Sequence, residues 1–230
     1  MPRSVSRAFL FDLDGTLVDS ERENAESIAV VLAERGRPLT AEERIFVVGH
    51  GWREIYNHLH ANGGVDMSFP ELMERSAIAK EKIVESAGIR TIPGAAEFVR
   101  AAARLAPIAV VSGSSRREVD FCIRMLGLDD VVPWFIGAED VSRGKPSPEG
   151  YITAAGRLAI EPARCVVFED SGAGIVSAKA AGMRCVAISA ANFAAQSQDA
   201  ADLVVPDFHA LRGPDDERLF APTRPDTTIG

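Results

Sequence analysis

The stretch Ala8–Asp19 reads AFLFDLDGTLVD, and it decides how the rest of the chain is interpreted. Its first four residues form a short apolar run, which is typical of a buried strand. Asp12 and Asp14 end this run, and the following Gly15 indicates a bend. The bend could turn both carboxylates into one crevice, where like charges repel each other unless a cation or a proton lies between them. The alternative is a polar strand end closed by an Asp-Gly turn.

The composition is that of an ordinary globular protein. Its 230 residues allow one large domain, or a main domain with a smaller one. The formal net charge of −8 argues against a nucleic-acid partner, because binding to phosphate backbones needs a basic face. We expect no signal peptide and no membrane span, since no stretch is apolar over the length that a bilayer requires. Three cysteines in apolar runs favour reduced thiols and a cytoplasmic location.

Helix start signals recur between Ser20 and Gly88. Ser20, Thr40 and Ser68 each stand three residues before a Glu, which is the pattern of a helix N-cap with its capping box. Start and stop signals together predict about four helices in this segment. The segment is therefore predicted to be all-helical.

From Pro93 onward, short aliphatic runs alternate with helical patterns. Strands are predicted at 108–112, 134–137, 165–168, 185–188 and 203–205. This alternation predicts an α/β fold with a doubly wound, mostly parallel, Rossmann-like sheet, into which the helical segment is inserted after the first strand. We expect an α/β core of residues 1–18 and 90–230 and an all-helical cap of residues 19–89. From Arg212 the composition predicts a surface-laid or mobile tail.

Acidic residues follow two of the predicted strands, at the edge where parallel sheets bind their ligands. Asp12 and Asp170 could supply the oxygen ligands that Mg²⁺ prefers. The backbone carbonyl of Asp14 could help, with Glu169 in support. The alternative for the second acidic pair is a polar strand end with a capping turn.

Two further clusters indicate an anion site. Ser112 and Gly113 open the run SGSS at a strand-to-helix passage, where hydroxyl and free N–H groups make an anion cradle. Lys145 lies in a loop between Gly and Pro, and its ammonium could neutralise a phosphate or restrain a nearby carboxylate. The plainer alternatives are an N-cap serine and a solvated lysine.

Taken together, these clusters resemble the four motifs of the haloacid dehalogenase (HAD) superfamily. The motifs are DLDGTLV at 12–18, VSGS at 111–114, GKPSP at 144–148 and FEDSGAGI at 168–175. The resemblance spans residues 8–188 and is nearest to the helical-cap branch, which includes β-phosphoglucomutase-like and phosphoglycolate-phosphatase-like proteins. It implies a Mg²⁺-dependent phosphomonoester hydrolase that acts on a small phosphorylated metabolite, such as a sugar phosphate, through an aspartyl-phosphate intermediate.

The resemblance also implies a role for each motif residue. Asp12 is the expected nucleophile and Asp14 the expected general acid/base, so the two carboxylates need different pKa values. Ser112, with Gly113, is expected to bind the transferring phosphoryl group, and Lys145 to steady its charge. The implied Mg²⁺ site consists of Asp12, Asp14, Glu169 and Asp170. The presence of Asp14 disfavours the dehalogenases and the phosphonatase-like members of the superfamily.

The cap is expected to set the substrate. Arg53 and His50 lie where cap proteins of this branch place a substrate-facing loop, although a solvated arginine and a structural histidine are the simpler alternatives. Asn24 is the third candidate. It stands ten residues after Asp14, where β-phosphoglucomutase-like mutases carry a histidine. This departure disfavours the alternative function, a sugar-phosphate mutase.

A non-enzymatic alternative is a phospho-acceptor signalling module, which also combines acidic residues, Ser or Thr, Lys and Mg²⁺ on a doubly wound sheet. The inserted cap and the turn after Asp14 argue against it. A catalytically dead scaffold is disfavoured because none of the expected motif residues is missing. We therefore expect a small phosphorylated metabolite as partner, no nucleic acid, no membrane, and a monomer or weak homodimer.

Overall fold

A parallel sheet forms the centre of the computed structural model, which describes residues 7–48, 50–192 and 196–221. The strands are β1 (Ala8–Phe11), β2 (Val18–Asp19), β3 (Arg90–Thr91), β4 (Ile108–Val111), β5 (Phe135–Ile136), β6 (Cys165–Glu169), β7 (Arg184–Ile188) and β8 (Leu203–Val205). The α-helices are α1 (Glu21–Glu34), α2 (Ala41–Phe46), α3 (Trp52–Ala61), α4 (Phe69–Ala87), α5 (Ala95–Ala103), α6 (Arg116–Met125), α7 (Glu149–Leu158) and α8 (Gly172–Ala180). Six strands pair in the order β5-β4-β1-β6-β7-β8, all parallel, which confirms the predicted doubly wound α/β fold.

Helices cover both faces of the sheet, and alternate residues of each central strand enter two different cores. In β1, Phe9 and Phe11 join the core on the side of α5 and α6, whereas Ala8 and Leu10 join the core on the side of α7 and α8. All four side chains are completely buried. Burial on both faces explains why the central strands read as continuous apolar runs instead of alternating patterns.

Helices α1, α3 and α4 form a third core, whose members include Ile28, Leu32, Leu59 and Leu72. They lie between β2 and β3, which form a separate two-stranded antiparallel pair. The sequence did not predict this pair because each strand has only two residues and shows no periodicity. No helix of the described residues is both long and apolar enough to cross a bilayer.

Two of the three predicted N-caps are confirmed. Thr40 and Glu43 form a complete capping box, and the Ser68 hydroxyl accepts a hydrogen bond from the N–H of Glu71 at 3.3 Å. The capping box at Ser20 is wrong, since this side chain makes no cap hydrogen bond. Its hydroxyl instead donates to Asp14. The same hydroxyl accepts a hydrogen bond from Asn24 Nδ2 at 3.4 Å, the role that a backbone N–H would fill at a capped helix start.

The segment after Arg212 packs against the core as far as it is described. Leu219 is completely buried, and the Phe220 ring centroid lies 6.3 Å from that of Phe9. Of the two predicted alternatives, this part of the tail is the surface-laid one, because its apolar side chains cover the first strand. The rest of the tail, 222–230, lies outside the described residues. The three cysteines are free and buried.

Candidate active site

The polar strand ends meet in one crevice because β4, β1 and β6 are neighbours in the sheet. Asp12 follows β1 directly, and its N–H donates to the carbonyl of Phe168 in β6 at 2.9 Å. Ser112 follows β4, and Glu169 is the last residue of β6. The register of parallel strands thus brings three of the predicted site residues to the same edge, as the sequence indicates.

Lys145 links two of these carboxylates. Its Nζ donates to Asp12 Oδ1 and, at 2.5 Å, to Glu169 Oε1. Burial raises the pKa of Asp12; Lys145 opposes this rise and the charge of Glu169 adds to it, and the pKa reaches about 8. Burial lowers the pKa of Lys145, but the two carboxylates outweigh it and hold that pKa above its usual range. Lys145 is therefore a protonated cation that donates hydrogen bonds to two buried carboxyl groups.

Glu169 is completely buried and accepts hydrogen bonds on both oxygens. Its Oε2 accepts from the N–H of Asp170 at 3.0 Å and from the N–H and hydroxyl of Ser171 at 3.1 and 3.0 Å. Its Oε1 accepts from Lys145 and, at 2.9 Å, from the Tyr151 hydroxyl. Five donors thus hold this carboxylate in place.

Asp12, Glu169 and Asp170 each offer an oxygen, and these atoms lie within 4.8 Å of one another. Burial raises the pKa of Asp170, and the charges of Glu169 and Asp12 raise it further. The site thus gathers hard oxygen donors with more negative charge than Lys145 can balance. This donor set fits a hard divalent cation such as Mg²⁺.

Gly15 leaves room for Asp170 in this cluster. Its φ is +80°, and a Cβ at this position would lie 2.0 Å from Asp170 Oδ2. The Thr16 hydroxyl donates to Asp170 Oδ1 at 3.4 Å. Gly15 and Thr16 therefore both contact Asp170 of the second acidic motif. A glycine is required at position 15 because the backbone is left-handed there and because Asp170 approaches it closely.

Asp14 lies in the same crevice but has a different set of partners. It accepts hydrogen bonds from the hydroxyls of Ser20 and Ser114, from Ser112 at the 3.5 Å limit, and from Lys80 Nζ at 3.2 Å. Burial alone would raise the pKa of Asp14, but Lys80 and the two closer serines outweigh burial and lower the pKa to about 2. The two aspartates therefore differ in pKa, with Asp12 the higher of the two.

Lys80 is a residue of the crevice that sequence analysis missed. It belongs to α4 in the helical segment, is almost completely buried, and lies between Asp14 and Glu118, whose Oε1 is 3.6 Å from its Nζ. Burial lowers the pKa of Lys80, and the two carboxylates more than reverse this effect. Its signal in the sequence is a lysine on the helix face that also carries Ala77 and Val84. A buried lysine at such a position requires acidic partners.

The predicted substrate residues of the cap have other contacts. The Arg53 guanidinium lies 3.6 Å from the ring centroid of Phe69, and the His50 ring stacks on Phe46 at 4.0 Å. Asn24 is closer to the crevice, since its Nδ2 donates to the hydroxyl of Ser20 at 3.4 Å. Ser112 is in the crevice as predicted, and the space next to Gly113 is open. The structure thus places Asn24, but neither Arg53 nor His50, next to the partners of Asp14.

The chain belongs to the haloacid dehalogenase-like hydrolases, because the model of this family matches residues 6–182. Validoxylamine A 7'-phosphate phosphatase of Streptomyces hygroscopicus subsp. limoneus is 34% identical over 207 residues, which cover 89% of this chain and 95% of the relative. Hexitol phosphatase A of Escherichia coli (strain K12) is 32% identical over 185 residues, which cover 80% and 83%. These findings confirm the resemblance to the superfamily and the expectation of a HAD-like phosphatase.

Solved structures confirm the fold. CbbY from Rhodobacter sphaeroides in complex with phosphate superposes with a TM-score of 0.83 at 23% identity, covering 94% of this chain and 100% of that one. A HAD family hydrolase from Deinococcus radiodurans R1, with bound phosphate and sodium, has a TM-score of 0.57 at 35% identity, covering 80% and 81%. The Rossmann-like core with a helical cap is therefore shared with these proteins.

Proposed function

We propose that this protein hydrolyses a small phosphorylated metabolite, such as a sugar phosphate, through a phospho-aspartyl intermediate on Asp12. The observation that carries the proposal is the pair of aspartates in one crevice with different partners. Asp12 contacts Lys145, whereas Asp14 contacts serine hydroxyls and Lys80. A nucleophile and an acid/base need separate environments, because one must attack while the other exchanges a proton. Without a cation the pKa of Asp12 is the higher of the two, so the charge of a bound Mg²⁺ would be needed to ionise the nucleophile.

Asp12 and Asp170 are the proposed Mg²⁺ ligands, together with the backbone carbonyl of Asp14. Glu169 supports the site, because its oxygens already accept five hydrogen bonds. When bound, Mg²⁺ neutralises charge on the phosphoryl oxygens and on the ionised carboxylates around them.

In the first step, a carboxylate oxygen of Asp12 attacks the phosphorus in line with the leaving oxygen. The P–O bond to the substrate breaks, and the leaving oxygen takes a proton from Asp14. Ser112, the N–H of Gly113 and Lys145 bind the phosphoryl oxygens and hold them for this displacement. The product is a free alcohol and a mixed anhydride on Asp12.

In the second step, Asp14 takes a proton from a water molecule, and this water attacks the phosphorus. The bond between phosphorus and Asp12 breaks, which restores the carboxylate and releases inorganic phosphate. Asp14 has a low pKa while Lys80 lies beside it, so its carboxylate is ionised and free to accept the proton of this water. A substrate that draws Lys80 away raises the pKa of Asp14 and lets it carry the proton of the first step.

A sugar phosphate is supported by the relatives and by one polar atom. Both phosphatases reported above match most of this chain, and one of them is named for a hexitol. Asn24 Oδ1 is buried and has no hydrogen-bond partner among the described residues, so a substrate hydroxyl can satisfy it. A cytoplasmic location and a monomeric or weakly dimeric state remain predictions from the sequence.

The test is phosphate release from an aryl phosphate and from a panel of phosphorylated metabolites, with Mg²⁺ or with EDTA. Asp12→Asn should abolish turnover while the circular dichroism spectrum stays unchanged, because the carboxamide is not a nucleophile. Asp129→Asn, at an exposed acidic residue, is the matched control and should retain full activity. Full turnover by Asp12→Asn would refute the proposed mechanism.

A further inference from the structure

Tyr151 is a polar residue in an apolar environment. It lies on α7, is completely buried, and belongs to the core that also contains Leu10, Val167 and Ile175. A phenylalanine could fill the same space, so the hydroxyl is the feature that needs a partner. That partner is Glu169 Oε1, at 2.9 Å.

Lys145 donates to the same oxygen. Its Nζ lies 2.5 Å from Glu169 Oε1 and 5.3 Å from the centroid of the Tyr151 ring. The lysine is therefore held by the carboxylate that Tyr151 fixes, and it packs over the ring that carries the hydroxyl. From Glu169, the lysine reaches Asp12.

The two ends of the Glu169 carboxylate are held differently. Three donors from the backbone and hydroxyl of the next two residues hold Oε2. Among the residues that the structure describes, only Lys145 and Tyr151 donate to Oε1. Since Lys145 must also serve Asp12 and a substrate phosphoryl group, Tyr151 is the one donor to Oε1 that does not take part in the chemistry.

We propose that Tyr151 is a positioning residue, which acts through Glu169 to hold Lys145 in place for the phosphoryl transfer at Asp12. Without the hydroxyl, Oε1 is held by Lys145 alone, and the carboxylate and the lysine can shift together away from Asp12. The effect falls on the rate of the chemical step, because Lys145 faces the transferring group. This proposal rests on the proposed function.

Tyr151→Phe tests the proposal because it removes only the hydroxyl. We expect kcat on an aryl phosphate at saturating Mg²⁺ to fall about tenfold, which is the scale of a lost hydrogen bond to a buried charge. KM and the Mg²⁺ affinity, measured by calorimetry without substrate, should change less than about twofold. Tyr56→Phe is the matched control: its hydroxyl donates to the Met67 carbonyl in the cap at 3.1 Å, and kcat should not change.

A double-mutant cycle separates positioning from packing. If Tyr151 acts through Glu169, Tyr151→Phe should cause no further loss of kcat in a Glu169→Gln background. Unchanged kcat in the single variant, additive losses in the cycle, or a fall in Mg²⁺ affinity with kcat retained would each overturn the proposal. Absence of Asp12-dependent turnover in the unaltered protein would instead refute the proposed function, and the role of Tyr151 with it.

Discussion

Lys80 Nζ lies 3.2 Å from Asp14 Oδ1, so a helix of the cap contacts the proposed acid/base of the core. The lysine side chain is only 2% exposed, and its second carboxylate partner is Glu118 of α6. Asp14 keeps a low pKa because this cation is close. The position of the cap and the proton affinity of Asp14 are therefore coupled through one side chain.

Replacing Lys80 should change the pH dependence of the reaction. In Lys80→Met, burial acts on Asp14 with its main opposing charge removed, so the pKa of Asp14 rises. The second step needs Asp14 as an ionised base, so the acid limb of the kcat profile should move to higher pH, and kcat near neutral pH should fall by about tenfold or more. The measurement is a pH–rate profile from pH 5 to pH 9.

Lys82→Met is the control for Lys80→Met. Lys82 lies on the same helix but is exposed, so its removal should change kcat less than about twofold. An unchanged pH–rate profile in Lys80→Met would show that Lys80 does not set the ionisation of Asp14.

Mg²⁺ should stabilise the fold more strongly as the pH rises. Burial raises the pKa of Asp12 to about 8 and also raises that of Asp170. The metal-free folded protein therefore keeps protons that the unfolded chain releases, so its stability falls as the pH rises from about 4 to about 8. Mg²⁺ binds the ionised carboxylates and reverses this loss.

Calorimetric melting with EDTA or Mg²⁺ checks this linkage. The Mg²⁺ concentration is set to about 100 times the Kd at pH 8 and kept the same at pH 5. It should raise the Tm by about 5 °C or more at pH 8, and by less at pH 5. Asp170→Asn should remove most of the difference between the two pH values, whereas Asp129→Asn should keep it. A Mg²⁺ effect that does not grow with pH would contradict the prediction.

The sheet and half of the site could be predicted from the sequence because both depend on local signals. Apolar runs identify the central strands, and a polar residue after a parallel strand lies at the ligand-binding edge of the sheet. The sequence therefore predicts that Asp12, Ser112 and Glu169 lie close together. Lys80 and Tyr151 could not be placed in this way. Each lies on a helix far along the chain, and its meaning depends on a carboxylate that only the packed fold brings near.

The same limit explains the errors of detail. Ser20 has the local pattern of an N-cap, but in the folded protein its hydroxyl donates to a carboxylate six residues earlier and accepts from Asn24. Arg53 stacks on Phe69, a contact that the sequence did not indicate, and its role towards a substrate stays a prediction. A local pattern cannot reveal which of two partners a polar side chain will meet.

Gly174 should not tolerate a side chain. An added Cβ would lie 1.7 Å from Glu169 Oε1, which is closer than any non-bonded contact. Gly174→Ala should therefore displace the carboxylate, lower the free energy of unfolding by about 2 kcal/mol or more, and reduce kcat. Urea unfolding and steady-state kinetics measure the two effects.

Gly156→Ala is the matched control on another helix. Outside the backbone of its own helix and its chain neighbours, no heavy atom of the described residues lies within 4 Å of the added Cβ. The variant should therefore gain about 0.5 to 1 kcal/mol from helix propensity and keep its kcat. Equal stability of the two alanine variants would show that Glu169 moves aside without cost.

The last prediction distinguishes a phosphatase, which releases inorganic phosphate, from a mutase, which moves the phosphoryl group between two positions of a sugar. Asn24 donates to Ser20, which in turn donates to Asp14, so the residue behind the acid/base is a neutral amide that cannot relay a proton. With a hexose 1-phosphate and the corresponding bisphosphate, phosphorus NMR should therefore detect inorganic phosphate and no 6-phosphate. Asp12→Asn should produce neither. Formation of the 6-phosphate faster than inorganic phosphate would identify a mutase, because the phosphoryl group on Asp12 would then return to the sugar in preference to water.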